Sequence, residues 1–348
     1  MSKEFYQNQI TNRETLRTWE QGFKPQIKEV LVAGNRGPCG GVNMALEAAT
    51  QVLDLVAGRE PVYSNWDIVN NKPIMERLSQ RGLVSVRNNW DIVPEKSIVF
   101  FSAHGVPPRF HEIAKDKGFL TIDTTCQLVT RVHNLAKRAE ANGQHVVYVG
   151  VQGHPETEGV LGELQQGNIS LIQRAEDVDG LALTDSKSSI VYSQTTLGTD
   201  EITDTMHALR NRFPDINIPP KHDLCYATDN RQAAVDQLVD EQNIDFLLIV
   251  GSKHSHNSQE LVRKAKTKGI RSTSIDRPEQ IKKLWFYGVK KVGLSSGASV
   301  IDPYTEAVLD VFRNQEIPIR YLPQTRPEKD MTFQLPEQDI QRIQQRYQ

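Results

Sequence analysis

The sequence predicts an α/β fold built from parallel sheets. Short apolar runs rich in β-branched residues end in polar or glycine-rich loops, and amphipathic helix patterns follow the loops. Strands and helices that alternate in this way form right-handed βαβ units, which bring the loops to the carboxyl edge of their sheet, where such folds bind ligands. The predicted strands are VLVAG at 30–34, PVYS at 61–64, SIVFFS at 97–102, LTID at 120–123, VVYVGV at 146–151, SIVYS at 189–193, FLLIVG at 246–251 and KVGLSS at 291–296.

These strands sort into three groups, and each group carries one cysteine. We expect three α/β modules: residues 27–115 with Cys39, residues 116–218 with Cys126, and residues 219–315 with Cys225. Residues 1–26 and 322–348 are polar flanks, and the final segment EQDIQRIQQRYQ has the pattern of a short helix.

The composition excludes several classes of protein. The chain has 348 residues, 38% of them hydrophobic and 24% charged, which is ordinary for a globular protein. A net charge of −2 argues against a nucleic-acid partner, and the apolar runs are too short to span a membrane. The first twenty residues lack the apolar core of a signal peptide. With only three cysteines, we expect a protein of the reducing cytoplasm.

The three cysteines are the strongest chemical signal. Each lies at the head of a similar strand–loop–helix passage, at domain-sized spacing. Three cysteines cannot all form disulfides, so they are either one ligand from each module to a metal or iron–sulfur centre, or three unrelated buried residues.

Polar groups also follow most of the predicted strands. Hydroxyl, amide and imidazole groups beside glycine-rich backbone at helix starts form anion sites, although the same residues serve as helix caps. Five such loops together with the three cysteines favour a phosphate-type ligand that lies above a metal centre. The loops are SAHGVPP, QGHPETEG, SQTTL, GSKHSHNS and SSGASVID.

Eight motifs in this order resemble the 4-hydroxy-3-methylbut-2-enyl diphosphate reductase family of LytB-type iron–sulfur enzymes. They extend from Val30 to Asp302 and read GPCGGV, SAHG, DTTC.LVT.VH, GHPE.EG, SQTTL, CYAT.NRQ, GSK.S.NS and GASV.D. The resemblance implies a trefoil of three α/β modules in pseudo-threefold arrangement around a central [4Fe-4S] cluster. Cys39, Cys126 and Cys225 would hold this cluster, leaving one iron open to substrate.

The resemblance also implies an activity and its partners. Two electrons and protons would remove the allylic hydroxyl of 4-hydroxy-3-methylbut-2-enyl diphosphate, giving isopentenyl and dimethylallyl diphosphates at the end of the methylerythritol phosphate route. The implied partners are this small allylic diphosphate and a ferredoxin- or flavodoxin-type electron donor, with neither nucleic acid nor membrane.

Individual residues acquire roles by the same resemblance. Glu156 matches the proton-relay glutamate and Thr195 a threonine that helps to deliver protons, whereas Glu158 is the weaker match. Because charge-assisted hydrogen bonds are the stronger kind, we expect protonated histidines to contribute most to diphosphate binding. The predicted substrate-binding residues are His104, His154, Thr196, Ser255, His256, Asn257, Ser299 and Asn70.

Two of these residues depart from the family pattern. Asn70 replaces a histidine, which loses charge and proton-transfer capacity, and His256 replaces a serine. These two departures indicate either a rearranged diphosphate pocket or a different substrate. In the second case the protein is a paralogous iron–sulfur reductase of another allylic or phosphorylated alcohol. A third hypothesis, a non-catalytic zinc module with three cysteines and one histidine, gives no role to Glu156 and Thr195.

Overall fold

The described chain has the predicted α/β fold with parallel sheets. The computed structural model describes residues 26–165, 167–219, 225–328 and 333–348, so all but the last residue of the predicted flank 1–26 lies outside the described residues. Within this part of the chain the paired strands all run parallel, in three separate sheets.

The strands and helices are numbered in chain order. The strands are β1 (Glu29–Val32), β2 (Val62–Ser64), β3 (Leu83–Ser85), β4 (Ile98–Phe101), β5 (Leu120–Asp123), β6 (His145–Val149), β7 (Ile169–Ile172), β8 (Ser189–Ser193), β9 (Phe246–Val250), β10 (Arg271–Ile275), β11 (Lys291–Ser296) and β12 (Ile319–Tyr321). The helices are α1 (Gly40–Val56), α2 (Lys72–Gln80), α3 (Pro108–Asp116), α4 (Gln127–Ala141), α5 (Pro155–Glu163), α6 (Thr199–Arg212), α7 (Tyr226–Asp236), α8 (His256–Thr267), α9 (Asp302–Arg313) and α10 (Glu337–Gln345).

The chain divides into two compact units. The first unit contains the described residues of Met1–Cys39, Asn70–Pro73 and Tyr226–Asp330 and one five-stranded sheet of order β10-β9-β11-β1-β12. Every residue of β9 is buried, as expected for an interior strand of a parallel sheet that is covered on both faces. Leu31, Leu247 and Leu261 belong to its core.

The second unit contains the residues of Gly40–Val69, Ile74–Cys225 and Met331–Gln348 and two sheets. The strand orders are β3-β2-β4-β5 and β7-β6-β8. One core contains Trp90, whose ring meets those of Phe101 and Phe110 edge to face. In another, Val147 packs with Leu197.

The sheets do not follow the predicted module boundaries. β1 was grouped with β2 and β4, but it pairs with β11 and β12, with Val30 opposite Val292 and Ile319. β5 was assigned to the second group, but it pairs with β4. Apolar runs identify strands, whereas their pairing is decided by contacts between residues far apart in sequence.

All eight predicted strands are present, and the structure adds four more. The additional strands are β3, β7, β10 and β12, and each lies at the edge of its sheet. These four strands are only partly buried, so they lack the continuous apolar run that marks a buried strand. β12, for example, is largely exposed.

Among the described residues, no helix combines the length and apolarity that a membrane span requires.

Residues of the predicted polar flank 322–348 pack against the rest of the chain. Leu322 belongs to the core of the first unit, and Thr325 donates its backbone N–H to the Asn35 side chain at 2.8 Å. The predicted final helix is α10, and it buries Ile343 completely.

A buried ion pair joins this segment to the loop before Cys39. Arg231 is fully buried on α7, and its guanidinium donates to the Gly37 carbonyl at 2.6 and 3.1 Å and to the Ala227 carbonyl at 2.7 Å. The same group contacts the Glu328 carboxylate at 3.1 Å. Glu328 therefore neutralises the buried charge of Arg231, which binds the loop before Cys39.

We expect Glu328→Ala to destabilise the protein by about 3–5 kcal/mol, because it leaves a buried guanidinium without its anion. Denaturant unfolding measures the loss. The matched control is Glu176→Ala, which removes an exposed pair with Arg174 and should change the free energy of unfolding by about 0.5 kcal/mol or less. Equal effects of the two substitutions would contradict the prediction.

Candidate active site

In the second unit, the loops after β4, β6 and β8 carry the predicted residues His104, His154 and Thr195. The strands end in one direction within each sheet, so the loops gather at the carboxyl edges. Helices α3, α5 and α6 begin a few residues later, which places backbone N–H groups beside these side chains.

Glu156 and Thr195 form a buried pair. Glu156 lies in the first turn of α5 with 1% of its surface exposed, and Thr195 has 3% exposed. The Thr195 backbone N–H donates to one carboxylate oxygen at 2.7 Å, and its hydroxyl donates to the other at 3.1 Å. The structure thus brings together the two residues that the resemblance assigned to proton transfer.

Gln194 supports this pair, and the sequence analysis did not select it as a site residue. Its buried amide oxygen accepts from the Val151 backbone at 2.9 Å and from the Thr157 hydroxyl at 3.2 Å. Its amide nitrogen donates to the Thr196 hydroxyl at 2.9 Å. The side chain therefore ties the end of β8 to the start of α5. Its place in SQTTL, directly before Thr195, was the available signal.

His104 and His154 lie together. Their ring centroids are 5.4 Å apart and the rings are nearly perpendicular. His154 caps α5, and its Nδ1 accepts from the Glu156 backbone N–H at 3.2 Å, so Nε2 carries the proton of the neutral ring. Ser102 Oγ lies 3.4 Å from His104 Nδ1.

From the sequence we expect protonated histidines to contribute most to diphosphate binding, but the pKa of His104 is lowered. Burial lowers the pKa of His104 to about 4, and the nearby charge of Asp67 offsets only part of this effect. The imidazole is therefore neutral at pH 7 in the unliganded protein. Removal from water is a property of the fold, so the sequence carried no signal for it.

The predicted polar residues of the first unit hold its own loops together. The Asn257 side chain donates to the Thr228 hydroxyl at 3.3 Å and accepts from the Ala298 backbone N–H at 3.0 Å. Ser255 caps α8. The Ser299 hydroxyl donates to the Asn70 carbonyl at 3.0 Å. Ser255, Asn257, Ser299 and Asn70 thus lie around one set of loops.

The two departures from the family pattern occupy different settings. Asn70 donates its side-chain amide to the His254 carbonyl at 3.1 Å, which joins residues 70–73 to the loop before α8. His256 is the first residue of α8, and a ring nitrogen lies within 4.8 Å of a Glu260 carboxylate oxygen, one turn along the helix. His256 therefore faces an acidic residue of its own helix, whereas Asn70 bonds to the backbone.

Basic residues surround Asp276 at the carboxyl ends of β9 and β10, and the sequence analysis did not select them. Burial raises the pKa of Asp276, while the positive charges of His254, Arg277, Lys72 and Lys253 oppose the rise. His254 and Lys253 stand inside the motif GSKHSHNS, which was their signal in the sequence, whereas Lys72 is brought in by the fold.

The three cysteines share one local arrangement. Each is a half-buried thiol, and each directly precedes a helix, namely α1, α4 and α7. The backbone N–H of Cys39 donates to Ala298 at 3.1 Å, that of Cys126 to Ala103 at 3.1 Å, and that of Cys225 to Thr195 at 2.7 Å. Each cysteine is thus bonded to a loop that carries a predicted site residue.

Such a donor set fits an iron–sulfur cluster. Thiolates are the ligands that these clusters use, and helix N-termini favour negatively charged ligand atoms. The half-buried thiols are accessible enough to bind a cofactor while remaining shielded from bulk water.

The lowered pKa of His104 implies that the free energy of unfolding depends on pH. The pKa of about 4 lies below the ordinary 6.5, so between these values the unfolded chain binds a proton that the folded protein does not. We expect this contribution to be complete above about pH 6.5 and to be lost as the pH falls from there towards about 4. Urea unfolding at several pH values should give a shallower fall for His104→Asn than for the natural protein. Parallel curves would contradict the assignment.

Reductases from several bacteria are similar to this chain. The 4-hydroxy-3-methylbut-2-enyl diphosphate reductase of Acidithiobacillus ferrooxidans is 37% identical over 310 residues, covering 88% of this chain and 96% of that protein. The protein of the same name from Cutibacterium acnes is 38% identical, with coverage of 89% and 94%. That from Nocardia farcinica is 39% identical, with coverage of 82% and 83%.

Two solved structures are also similar. The E-1-hydroxy-2-methyl-but-2-enyl-4-diphosphate reductase from Plasmodium falciparum matches with a TM-score of 0.84 at 27% identity, covering 93% of this chain and 100% of that chain. A structure of (E)-4-hydroxy-3-methyl-but-2-enyl diphosphate reductase, the terminal enzyme of the non-mevalonate pathway, matches with a TM-score of 0.60 at 29% identity, covering 82% and 99%.

A family model described as LytB protein matches residues 30–313. This range contains all three cysteines and both residues of the buried Glu156–Thr195 pair. The match agrees with the family that the eight sequence motifs resemble. The chain belongs to the LytB protein family.

Proposed function

We propose that this protein is an iron–sulfur oxidoreductase that converts 4-hydroxy-3-methylbut-2-enyl diphosphate into isopentenyl and dimethylallyl diphosphates. The observation that carries the proposal is the buried Glu156–Thr195 pair, because Thr195 also accepts the backbone hydrogen bond of Cys225. The assigned proton source and one assigned cluster ligand therefore both bond to the loop that carries Thr195. The relatives that are 37–39% identical bear the name of this reductase.

The cofactor in this proposal is a [4Fe-4S] cluster held by Cys39, Cys126 and Cys225, with one iron open to substrate. When bound, such a cluster supplies electrons and a Lewis-acidic position. The protein holds the cysteines through backbone hydrogen bonds to Ala298, Ala103 and Thr195. An electron donor of the ferredoxin or flavodoxin type, and a reducing compartment such as the cytoplasm, fit a centre of this kind.

The chain's own contribution to the chemistry is a proton. Replacing the allylic C–OH bond by C–H consumes two electrons and two protons and releases water. Loss of hydroxide requires a proton at the leaving oxygen, and a positioned carboxylic acid delivers it. Glu156 is assigned this role, and the hydroxyl of Thr195, 3.1 Å from its carboxylate, is assigned the relay.

The diphosphate is assigned to the polar side chains that the family resemblance selected. In the second unit these are His104, His154 and Thr196. In the first unit they are Asn70, Ser255, His256, Asn257 and Ser299. Lys72 and Lys253 add positive charge at the carboxyl edge of the first unit, which favours the approach of an anion.

The cluster is tested by anaerobic purification. We expect about four irons and four sulfides per chain, and turnover of the allylic diphosphate with a reduced viologen. Serine at Cys39, Cys126 or Cys225 should lose the cluster or most of the activity, because an alcohol replaces the thiolate ligand. Circular dichroism checks that each variant is folded. Stoichiometric zinc, or an iron-loaded protein inert towards this substrate, would contradict the proposal.

The proton source is tested by Glu156→Gln. The amide cannot supply a proton, so we expect kcat to fall about 10²–10⁴-fold with iron, sulfide and substrate binding retained. Glu158→Gln is the matched control, since it makes the same substitution two residues along the first turn of α5. An unchanged kcat for Glu156→Gln would remove this residue from the mechanism.

A further inference from the structure

His133 lies behind the predicted active-site residues of the second unit. It belongs to α4, two turns after Cys126, and only 6% of its surface is exposed. Its Nδ1 lies 2.9 Å from a carboxylate oxygen of Glu163, the last residue of α5. The hydrogen bond places the proton on Nδ1.

Two backbones approach the other side of this ring. A Cβ atom added to Gly105 would lie 3.2 Å from His133 Nε2, and one added to Gly159 would lie 3.0 Å from Nε2 and Cε1. Both distances are tighter than ordinary van der Waals contact, so the ring fills the space between the two glycines and leaves little room for a side chain at either. Nε2 itself has no hydrogen-bond partner among the described residues. On this side, the His133 ring makes steric contacts with the two glycines and no hydrogen bond among the described residues.

The two glycines belong to the elements that carry the site. Gly105 directly follows His104, and Gly159 lies one turn after Glu156 on α5, the helix that His154 caps. A third close contact reinforces the same interface, because a Cβ at Gly162 would lie 2.4 Å from Pro107 Cβ. The His133 ring thus lies between the loop that carries His104 and helix α5.

The charged groups around His133 keep the ring in place. Burial by itself raises the pKa of Glu163, but hydrogen bonds and charges from His133 and Lys137 outweigh it, and the pKa lies below its ordinary value. Glu163 is therefore an anion at neutral pH, and Lys137 contacts its second oxygen at 3.4 Å. The ring has one fixed orientation.

We propose that His133 is a positioning residue that sets the separation of His104 from His154 and Glu156. This inference rests on the proposed function, because these three residues are there assigned to the diphosphate and the proton. His133 is assigned no contact with the substrate or the cluster. A displacement of about 1 Å at a reacting group costs about 10²-fold in rate, so a spacer of this kind controls activity from behind the site.

The test is a double-mutant cycle across the contact. His133→Asn keeps an N–H for Glu163 but empties the space beside the glycines. Gly159→Ala adds a methyl group against the intact ring. In iron-loaded protein we expect each single change to raise the dissociation constant of inorganic diphosphate, measured by calorimetry, and the KM of the allylic diphosphate by about 10-fold or more, with iron and sulfide content unchanged.

The double variant distinguishes spacing from general damage. The alanine methyl group of Gly159→Ala occupies the space that His133→Asn opens. The dissociation constant of inorganic diphosphate should therefore be lower for the double variant than for whichever single variant binds more weakly. His145→Asn is the control, because it removes a histidine that bonds to Ser170 at the opposite end of β6 and should leave KM unchanged.

Two results would overturn the inference: single variants that bind diphosphate within about twofold of the natural protein, or effects that simply add in the double variant. If His133→Asn does not fold, Gly159→Ala alone decides, since alanine is otherwise the more favourable residue in a helix. Failure of the natural protein to turn over the allylic diphosphate would overturn the proposed function instead, while the diphosphate-binding cycle still tests the spacing.

Discussion

The parallel direction of the paired strands is the constraint on which the site depends. Within a parallel sheet, the loops after successive strands emerge at one edge, and these loops then bond to each other. Cys126 donates its N–H to Ala103, beside His104, and Cys225 donates to Thr195. A cysteine cannot move without moving a residue assigned to proton transfer or diphosphate binding. In the second unit, two of the cysteines and the residues assigned to proton transfer and diphosphate binding are therefore positioned by the same loops.

The buried side chains of Glu156 and Gln194 are held in place by hydrogen bonds. A buried carboxylate or amide is destabilising unless hydrogen bonds satisfy it, and Glu156 and Gln194 meet that requirement within two loops. Both oxygens of Glu156 accept from Thr195, and both ends of the Gln194 amide are bonded. The network leaves one orientation for the carboxylate, which suits a group that must meet a leaving oxygen from a fixed direction.

The sequence predicted what local pattern determines and missed what tertiary contact determines. A buried strand such as β9 can be recognised in the sequence by its apolar run, whereas the edge strand β12 cannot. The motifs identified Glu156 and Thr195, but nothing local indicates that β1 pairs with β11 and β12, or that Glu328 neutralises Arg231. The C-terminal segment is a polar flank in the sequence, and the burial of single residues within it, such as Ile343, depends on partners far away in sequence.

The neutral state of His104 changes how a diphosphate pocket works. A ring charged before the ligand arrives would be a buried cation with only Asp67 to offset its desolvation. A diphosphate placed against the ring acts in the same direction as Asp67 and raises the pKa of His104 further. A diphosphate bound here as proposed would favour a proton on the imidazole, and the hydrogen bond between them would then be charge-assisted. A neutral alcohol lacks this charge, so under the proposed function His104 would favour a diphosphate over an unphosphorylated alcohol.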